Sequence, residues 1–163
     1  MDVIGSYLKR VAAEHVPAGR CFILQDWSAT GDLLCMREQA VGAEPLIVVI
    51  GGPGAERGPH WFTAEAIEGE RVVLLPEGLA VRPVGAQCFG LPIPTRDRSN
   101  GALGIAEGGV AWIYVANAQL GSRAFFDLRT GEPGNPEVDL FPAWELLLPQ
   151  PEGRDPIVVY RHG

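Results

Sequence analysis

VAWIYVA, residues 110–116, is the longest uninterrupted apolar stretch of the chain, and it decides which kind of fold the sequence predicts. In an extended strand, successive side chains point to opposite faces, and here both sets are apolar. A strand that is apolar on both faces needs a covering layer on each side. We therefore expect residues 110–116 to form a central strand of a β-sheet.

Other apolar or alternating runs of strand length lie on both sides of this stretch, between turn residues such as Thr30-Gly31-Asp32 and Gly108-Gly109. These runs are 20–27, 33–38, 46–50, 60–67, 71–75, 79–84, 102–106, 122–128, 144–148 and 157–161. Two segments, HWFTAEAIEGERVVLL and AWIYVANAQLGSRAFFDL, predict two similar hairpins. Two stretches without periodicity, 92–101 and 132–142, predict long loops, and long loops often carry function.

The N-terminal residues carry the one helical pattern of the sequence, because Val3, Ile4, Tyr7, Leu8 and Val11 fall at helical spacing. This spacing predicts a helix over residues 2–15. The predicted fold is therefore α+β: an N-terminal helix packed on a strongly bent, mainly antiparallel β-sheet or two-sheet half-barrel. The length of 163 residues fits a single domain spanning residues 1–163.

Composition excludes several classes of partner. The formal charge is −7, and the basic residues form no cluster, so neither nucleic acid nor an anionic membrane is expected to bind. A basic protein partner is compatible with this charge. The N-terminus lacks the charge order of a secretory signal, and the longest apolar run is too short to cross a bilayer, so we expect a cytoplasmic protein.

The chemistry-bearing residues form no recognised cofactor or metal motif. The three cysteines, Cys21, Cys35 and Cys88, are widely spaced, which favours reduced thiols over disulfides or a zinc site. No spacing of His, Asp and Glu suits a metal, and no cofactor is predicted. Both Cys21 and Cys35 stand beside apolar residues, as buried core cysteines do.

The stretch IVVIGGPGAERGPH, residues 47–60, begins like a phosphate-binding loop but does not continue as one. When Gly51 is aligned with the first glycine of that motif, Glu56 stands where the second glycine belongs. Arg57 then replaces the lysine and Gly58 replaces the serine or threonine. A carboxylate near phosphate is unfavourable, so nucleotide binding is not expected, and a strand followed by a Gly-Pro turn is the simpler interpretation.

GPHWFTAEAIEGERVVLLPEG, residues 58–78, resembles the histidine strand and following hairpin of papain-fold bacterial toxins and protein-glutamine-deaminase-like domains. The resemblance covers about twenty residues and implies His60 as the base and Glu77 near the orienting acid. Cys35 or Cys21 would supply the thiol nucleophile, since both precede His60 in the chain. Such a thiol must lie within hydrogen-bond reach of the imidazole.

The loop 92–101 contains the densest run of hydrogen-bonding side chains, among them Arg96, Asp97, Arg98 and Asn100, which are candidates for contact with a partner. Size, acidity and the lack of catalytic motifs favour a non-enzymatic protein-binding module, of the kind formed by small acidic immunity or antitoxin-type proteins. The first alternative is a thiol-dependent hydrolase or deaminase of papain-like type. The second is a binder of a small apolar ligand between Trp and Phe side chains.

Overall fold

The computed structural model describes residues 8–39, 44–84, 100–117 and 122–163. Their strands form three antiparallel sheets. The strands are β1 (Lys9–Ala12), β2 (Cys21–Ser28), β3 (Gly31–Arg37), β4 (Leu46–Gly51), β5 (His60–Thr63), β6 (Arg71–Leu74), β7 (Ala80–Pro83), β8 (Leu103–Ala106), β9 (Ala111–Asn117), β10 (Ser122–Asp127), β11 (Pro133–Gly134), β12 (Val138–Phe141), β13 (Trp144–Leu148) and β14 (Ile157–His162). Short 3-10 turns cover Ala13–His15, Ala64–Ile67 and Glu107–Gly109.

Sheet one has the strand order β1-β6-β2-β3-β4-β5 and is apolar on both faces. The central core, on one face, takes residues such as Leu34, Met36 and Val48. The second core, on the other face, takes their neighbours, such as Cys35 and Val49. Because successive side chains enter the two cores alternately, both sets are apolar. The central strands of this sheet therefore appear in the sequence as unbroken apolar runs.

Sheets two and three complete the central core. Sheet two has the order β11-β10-β9-β8-β12, so β9, which contains most of the VAWIYVA stretch, is its middle strand, as the sequence predicts. From β9, Ile113 and Val115 enter the central core, whereas Tyr114 enters a third core on the opposite face. Sheet three has the order β14-β13-β7 and contributes Trp144 and Leu146 to the central core.

The α+β prediction, with an N-terminal helix packed on the sheet, is wrong. Of residues 2–15, the structure describes 8–15, and these form strand β1 followed by a 3-10 turn. Strand β1 pairs with β6, and Ala13 then packs into the second core. Hydrogen bonds to a neighbouring strand and burial on the sheet outweigh the helical spacing of a few apolar residues, because propensity is a weak constraint beside tertiary packing.

Two further predictions about connections need correction. The stretch 132–142, predicted as a loop, contains the short strands β11 and β12. Of the two predicted hairpins, β9 and β10 do pair, but β5 and β6 lie far apart in sheet one, with β2, β3 and β4 between them. The 3-10 turn Ala64–Ile67 makes this connection, and Ile67 packs into the second core as the chain crosses.

Candidate functional site

A cavity of about 680 Å³ opens where the three sheets meet, and we call it the junction cavity. Its apolar lining comes from all three sheets or the turns beside them, and the side chains concerned are Cys21, Leu79, Val81, Val110, Ala111, Leu128 and Leu146. Among the described residues, the charged members of the lining are Arg20, Glu77 and Arg129. This volume falls within the usual range for small-molecule sites, which are mostly apolar with a few placed polar groups.

Arg20 is held in place at one side of the cavity. Its guanidinium donates a 2.7 Å hydrogen bond to the Glu77 carboxylate and another of 2.7 Å to the backbone carbonyl of Leu75. The Arg20 side chain is 22% exposed, whereas that of Glu77 is 81% exposed. A guanidinium has five N–H donors, so Arg20 keeps donors for a further acceptor in the cavity.

Arg129 reaches the same cavity from a turn at the end of β10, and the buried Asp127 shapes this turn. The Asp127 carboxylate accepts hydrogen bonds from the backbone N–H groups of Arg129, at 2.7 Å, and Thr130, at 3.2 Å. The backbone N–H of Gly131 then bonds to the Asp127 carbonyl at 2.8 Å. The Asp-x-x-Thr-Gly pattern is a turn signal that the sequence carries. The Arg129 side chain is exposed.

Two glycines bring the Arg20 and Arg129 turns together. Gly19 has a φ of +75°, and a Cβ atom there would overlap the backbone carbonyl of Arg129. Gly131 has a φ of +76°, and a Cβ atom there would lie 3.0 Å from the backbone nitrogen of Gly19 and 2.5 Å from the Arg37 carbonyl oxygen. The two turns therefore pack backbone against backbone, which only residues without a Cβ atom allow at both positions.

The two candidate cysteine nucleophiles are buried in separate cores. Cys35 is fully buried in the second core, and Cys21, at 7% exposure, lies in the central core and lines the junction cavity. Burial raises the pKa of the Cys21 thiol to about 12 and also raises the pKa of Cys35. Both cysteines therefore stay as neutral thiols near pH 7, whereas a nucleophile has to be a thiolate.

The structure does not bring the candidate base and acid together with Cys35. His60 and Cys35 pair with Val49 from opposite sides, so they lie two strands apart, with roughly 10 Å between the backbones by the usual strand spacing. The His60 Nδ1 atom lies 2.9 Å from the Gly58 carbonyl oxygen. Glu77 lines the junction cavity with Cys21 and is paired with Arg20.

Of the predicted contact residues, Arg96, Asp97 and Arg98 lie outside the described residues, as does Cys88. Asn100 is described, and both ends of its side-chain amide bind within the fold. The amide nitrogen donates to the Pro59 carbonyl at 2.7 Å, and the amide oxygen accepts from the Ala116 N–H at 2.9 Å. Asn100 thus links sheet one to sheet two, and its contact with a partner stays a prediction.

A polar cluster beside Asn100 ties sheet three to the other two sheets. Within it, the Trp144 indole donates to the Gly101 carbonyl at 2.8 Å. The Tyr160 hydroxyl lies 3.5 Å from the Ile50 carbonyl oxygen and 3.3 Å from the His162 Nδ1 atom. Burial lowers the pKa of His162. Sequence reasoning did not identify this cluster, because its members come from separate strands whose order the sequence leaves open.

The glycine-rich stretch 51–54 has a packing role in this arrangement. A Cβ atom on Gly51 would overlap the Tyr160 ring, and one on Gly54 would lie 2.5 Å from the Gly31 carbonyl oxygen. Gly52 has a φ of +104° and packs against the backbone at Asp32. These glycines let the end of β4 approach both sheet three and the β2–β3 turn.

A second exposed feature lies on sheet one. A register shift between Leu24 and Ser28 of β2 contains Asp26, with a φ of +50°, and Trp27. Trp27 is 42% exposed and stacks on Phe62, with ring centroids 6.0 Å apart. Asp32 accepts a 2.9 Å hydrogen bond from the Asp26 N–H and so stabilises this unusual backbone. The result is an exposed aromatic surface with carboxylates beside it.

Neither a metal-binding cluster nor a membrane-spanning helix accompanies these two features in the described residues. In the described parts of the chain, no group of three or more His, Cys, Asp or Glu side chains is arranged to hold a metal ion. Within the same residues, no helix has the length and apolar character needed to span a membrane. Comparisons with protein-family models, with curated proteins and with solved structures found no match to this chain.

Proposed function

We propose that the chain is a non-enzymatic binding module and that the junction cavity binds a small ligand with an apolar body. The observation that carries this proposal is the cavity itself, about 680 Å³ in volume and lined by apolar side chains from three sheets. Burying an apolar ligand surface there would stabilise the complex by roughly 25 cal/mol for each Å² removed from water.

The placement of the thiols favours binding over thiol chemistry. Of the two described cysteines, Cys21 lines the junction cavity, but its pKa of about 12 keeps it protonated. His60, the candidate base, pairs with β4 and bonds to Gly58 instead of contacting a thiol. Cys21 and Cys35 both carry free, buried thiols.

A second candidate function is the docking of a basic protein partner, in the manner of an acidic immunity-type protein. The observation that favours it is the exposed Trp27 ring stacked on Phe62, next to Asp26 and Asp32, in a chain of net charge −7. Aromatic faces and carboxylates together suit Arg or Lys side chains. Affinity capture with wild type and with Trp27→Ala tests this candidate function. The candidate is supported only if wild type retains a basic protein that Trp27→Ala does not retain.

The test of the proposed cavity uses N-phenyl-1-naphthylamine, a neutral apolar dye that fluoresces when it leaves water. We expect saturable fluorescence with wild type and a large loss of affinity with Ala111→Phe, which places a ring in the cavity. The matched control is Ala106→Phe, at another partly exposed alanine that does not line the cavity. Thermal unfolding of both variants shows whether they fold. Absence of saturable binding, or equal effects of the two substitutions in folded protein, would contradict the proposal.

A further inference from the structure

We propose that the junction cavity selects ligands that carry a single carboxylate on an apolar body, with Arg20 and Arg129 receiving the carboxylate. This inference rests on the proposed function and names the class of ligand. The described charged residues of the lining are two arginines and one glutamate, a local charge of +1, whereas the whole chain has a charge of −7. The described lining of the cavity therefore carries a net positive charge, although the protein as a whole is acidic.

The two arginines belong to neighbouring turns that both line the cavity. Their turns pack backbone against backbone through Gly19, so both side chains start from one side of the cavity. Arg20 is oriented by Glu77 and the Leu75 carbonyl, which lowers the entropy cost of holding it for a ligand. A guanidinium binds a carboxylate through two parallel N–H donors, and this pairing is among the stronger hydrogen-bond arrangements in proteins.

Glu77 sets the charge that the cavity accepts. Its side chain is 81% exposed, and an ion pair as exposed as this one contributes little to folding stability. Its carboxylate does, however, neutralise part of the charge of Arg20, which leaves one net positive charge for the ligand. A ligand with two or more negative charges would meet Glu77 and the acidic remainder of the protein, so a monoanion fits best.

The apolar part of the ligand has a defined place. Val81 lines the cavity from β7, and Leu79 lines it from the position just before that strand. Ala111 lines it from β9, and Leu146 lines it from β13. Leu146 belongs to the central core, and the other three side chains pack against it. A hydrocarbon chain or ring extending from a carboxylate at Arg20 and Arg129 would continue this apolar surface. Linear monocarboxylates of medium length are the simplest members of this class.

The experiment compares decanoate, decan-1-ol and decylammonium, which share one hydrocarbon chain, by displacement of N-phenyl-1-naphthylamine or by calorimetry. Wild type should bind decanoate more tightly than decan-1-ol and should bind decylammonium most weakly. Glu77→Gln should tighten decanoate binding by about three- to fivefold, and Arg129→Gln should weaken it by about the same factor, while both leave decan-1-ol unchanged. The control is Arg154→Gln, which removes an exposed arginine that does not line the cavity.

The outcomes separate the two proposals. Equal affinity of wild type for decanoate and decan-1-ol would overturn charge selection but leave the apolar cavity as a binding site. Charge selection is also overturned if Glu77→Gln and Arg129→Gln change the affinities for decanoate and decan-1-ol by the same factor. It is overturned as well if these substitutions change the affinity for decanoate no more than the control Arg154→Gln does. Failure of all three compounds and of the neutral dye to bind would overturn the proposed function together with this inference.

Discussion

Cys21 and Cys35 lie on the adjacent strands β2 and β3, but their side chains enter different cores. Cys21 pairs with Met36 and faces the central core, whereas Cys35 pairs with Phe22 and faces the second core. Because the residues of each pair share a face, the backbone of sheet one separates the two sulfur atoms. The two thiols therefore do not form a pair, and each depends on a different layer for protection.

The first prediction is that both thiols react slowly in the folded protein. In a Cys88→Ser background, iodoacetamide should label Cys21 about a thousandfold more slowly than a free thiol of pKa 9.0 at neutral pH, because its pKa is about 12. Cys35 should also be slow, since it is fully buried. Mass spectrometry after timed labelling, with urea-unfolded protein as the positive control, measures both rates. Rapid labelling that His60→Ala abolishes would instead support the thiol-enzyme alternative.

The second prediction compares two glycines at the junction cavity with nearly the same backbone conformation. Gly19 has a φ of +75° and Gly78 a φ of +77°, but a Cβ atom at Gly78 would meet nothing within 4 Å. Gly78→Ala should therefore cost only the strain of the left-handed conformation, about 1–2 kcal/mol. Gly19→Ala should cost about 1–3 kcal/mol more, because the Arg129 backbone must move. Urea unfolding measures both, and equal losses of stability would show that the two turns do not pack closely.

The third prediction concerns the indole hydrogen bond that joins sheet three to sheet two. Trp144→Phe removes the donor to the Gly101 carbonyl and leaves space in the central core, so it should lower the free energy of unfolding by about 2–4 kcal/mol. Trp27→Phe is the control, since Trp27 is 42% exposed and its replacement should change the free energy of unfolding by less than about 1 kcal/mol. A similar small effect of both substitutions, measured by urea unfolding, would contradict the role given to Trp144.

The fourth prediction is a fall in stability as pH decreases from 7.5 to 5.5. Burial lowers the folded-state pKa of His162 below 6.5, so the unfolded chain binds more protons between the two pKa values. The contribution of His162 is present above pH 6.5 and is lost as pH falls through the folded-state pKa. The slope should be a fraction of the one-proton maximum of about 1.4 kcal/mol per pH unit, because the partly exposed imidazole is screened by solvent.

The control for this pH dependence is a second histidine substitution. His162→Gln should flatten the fall in the free energy of unfolding, whereas His15→Gln, outside the cluster, should keep it. When the free energy of unfolding of one variant is subtracted from that of the other at each pH, the contribution of Glu38, whose pKa is raised by burial, cancels. The pKa of Glu145 is lowered from 4.5, chiefly by Arg82, so its effect begins below this pH range. Identical slopes for the two variants would refute the assignment to His162.

The strands of the cores could be predicted from the sequence, because alternation between two apolar faces leaves a clear pattern, as in β4 and β9. Strand β1 was missed because its apolar residues also fit a helix, and only pairing with β6 decides between the two. Strand β12 carried a usable signal, since Val138 and Leu140 alternate with the exposed Asp139, but the nearby prolines favoured a loop.

The junction cavity could not be predicted from the sequence, since it depends on which distant turns meet. Gly19 and Arg129 are far apart in the chain, and nothing in either turn indicates that their backbones touch. The same holds for Gly51 and Tyr160, whose contact joins sheet one to sheet three. Local patterns specify strands and turns, whereas the order of strands across three sheets is a property of the whole chain.

The junction cavity has a thermodynamic consequence, because its lining comes from three sheets and not from one. A ligand that binds the folded chain alone raises the free energy of global unfolding by RT ln(1 + [L]/Kd). Occupancy should also favour the state in which all three sheets are docked over states in which one of them has separated. Amide hydrogen exchange should then slow in strands that do not touch the ligand, such as β14, wherever exchange requires the sheets to part.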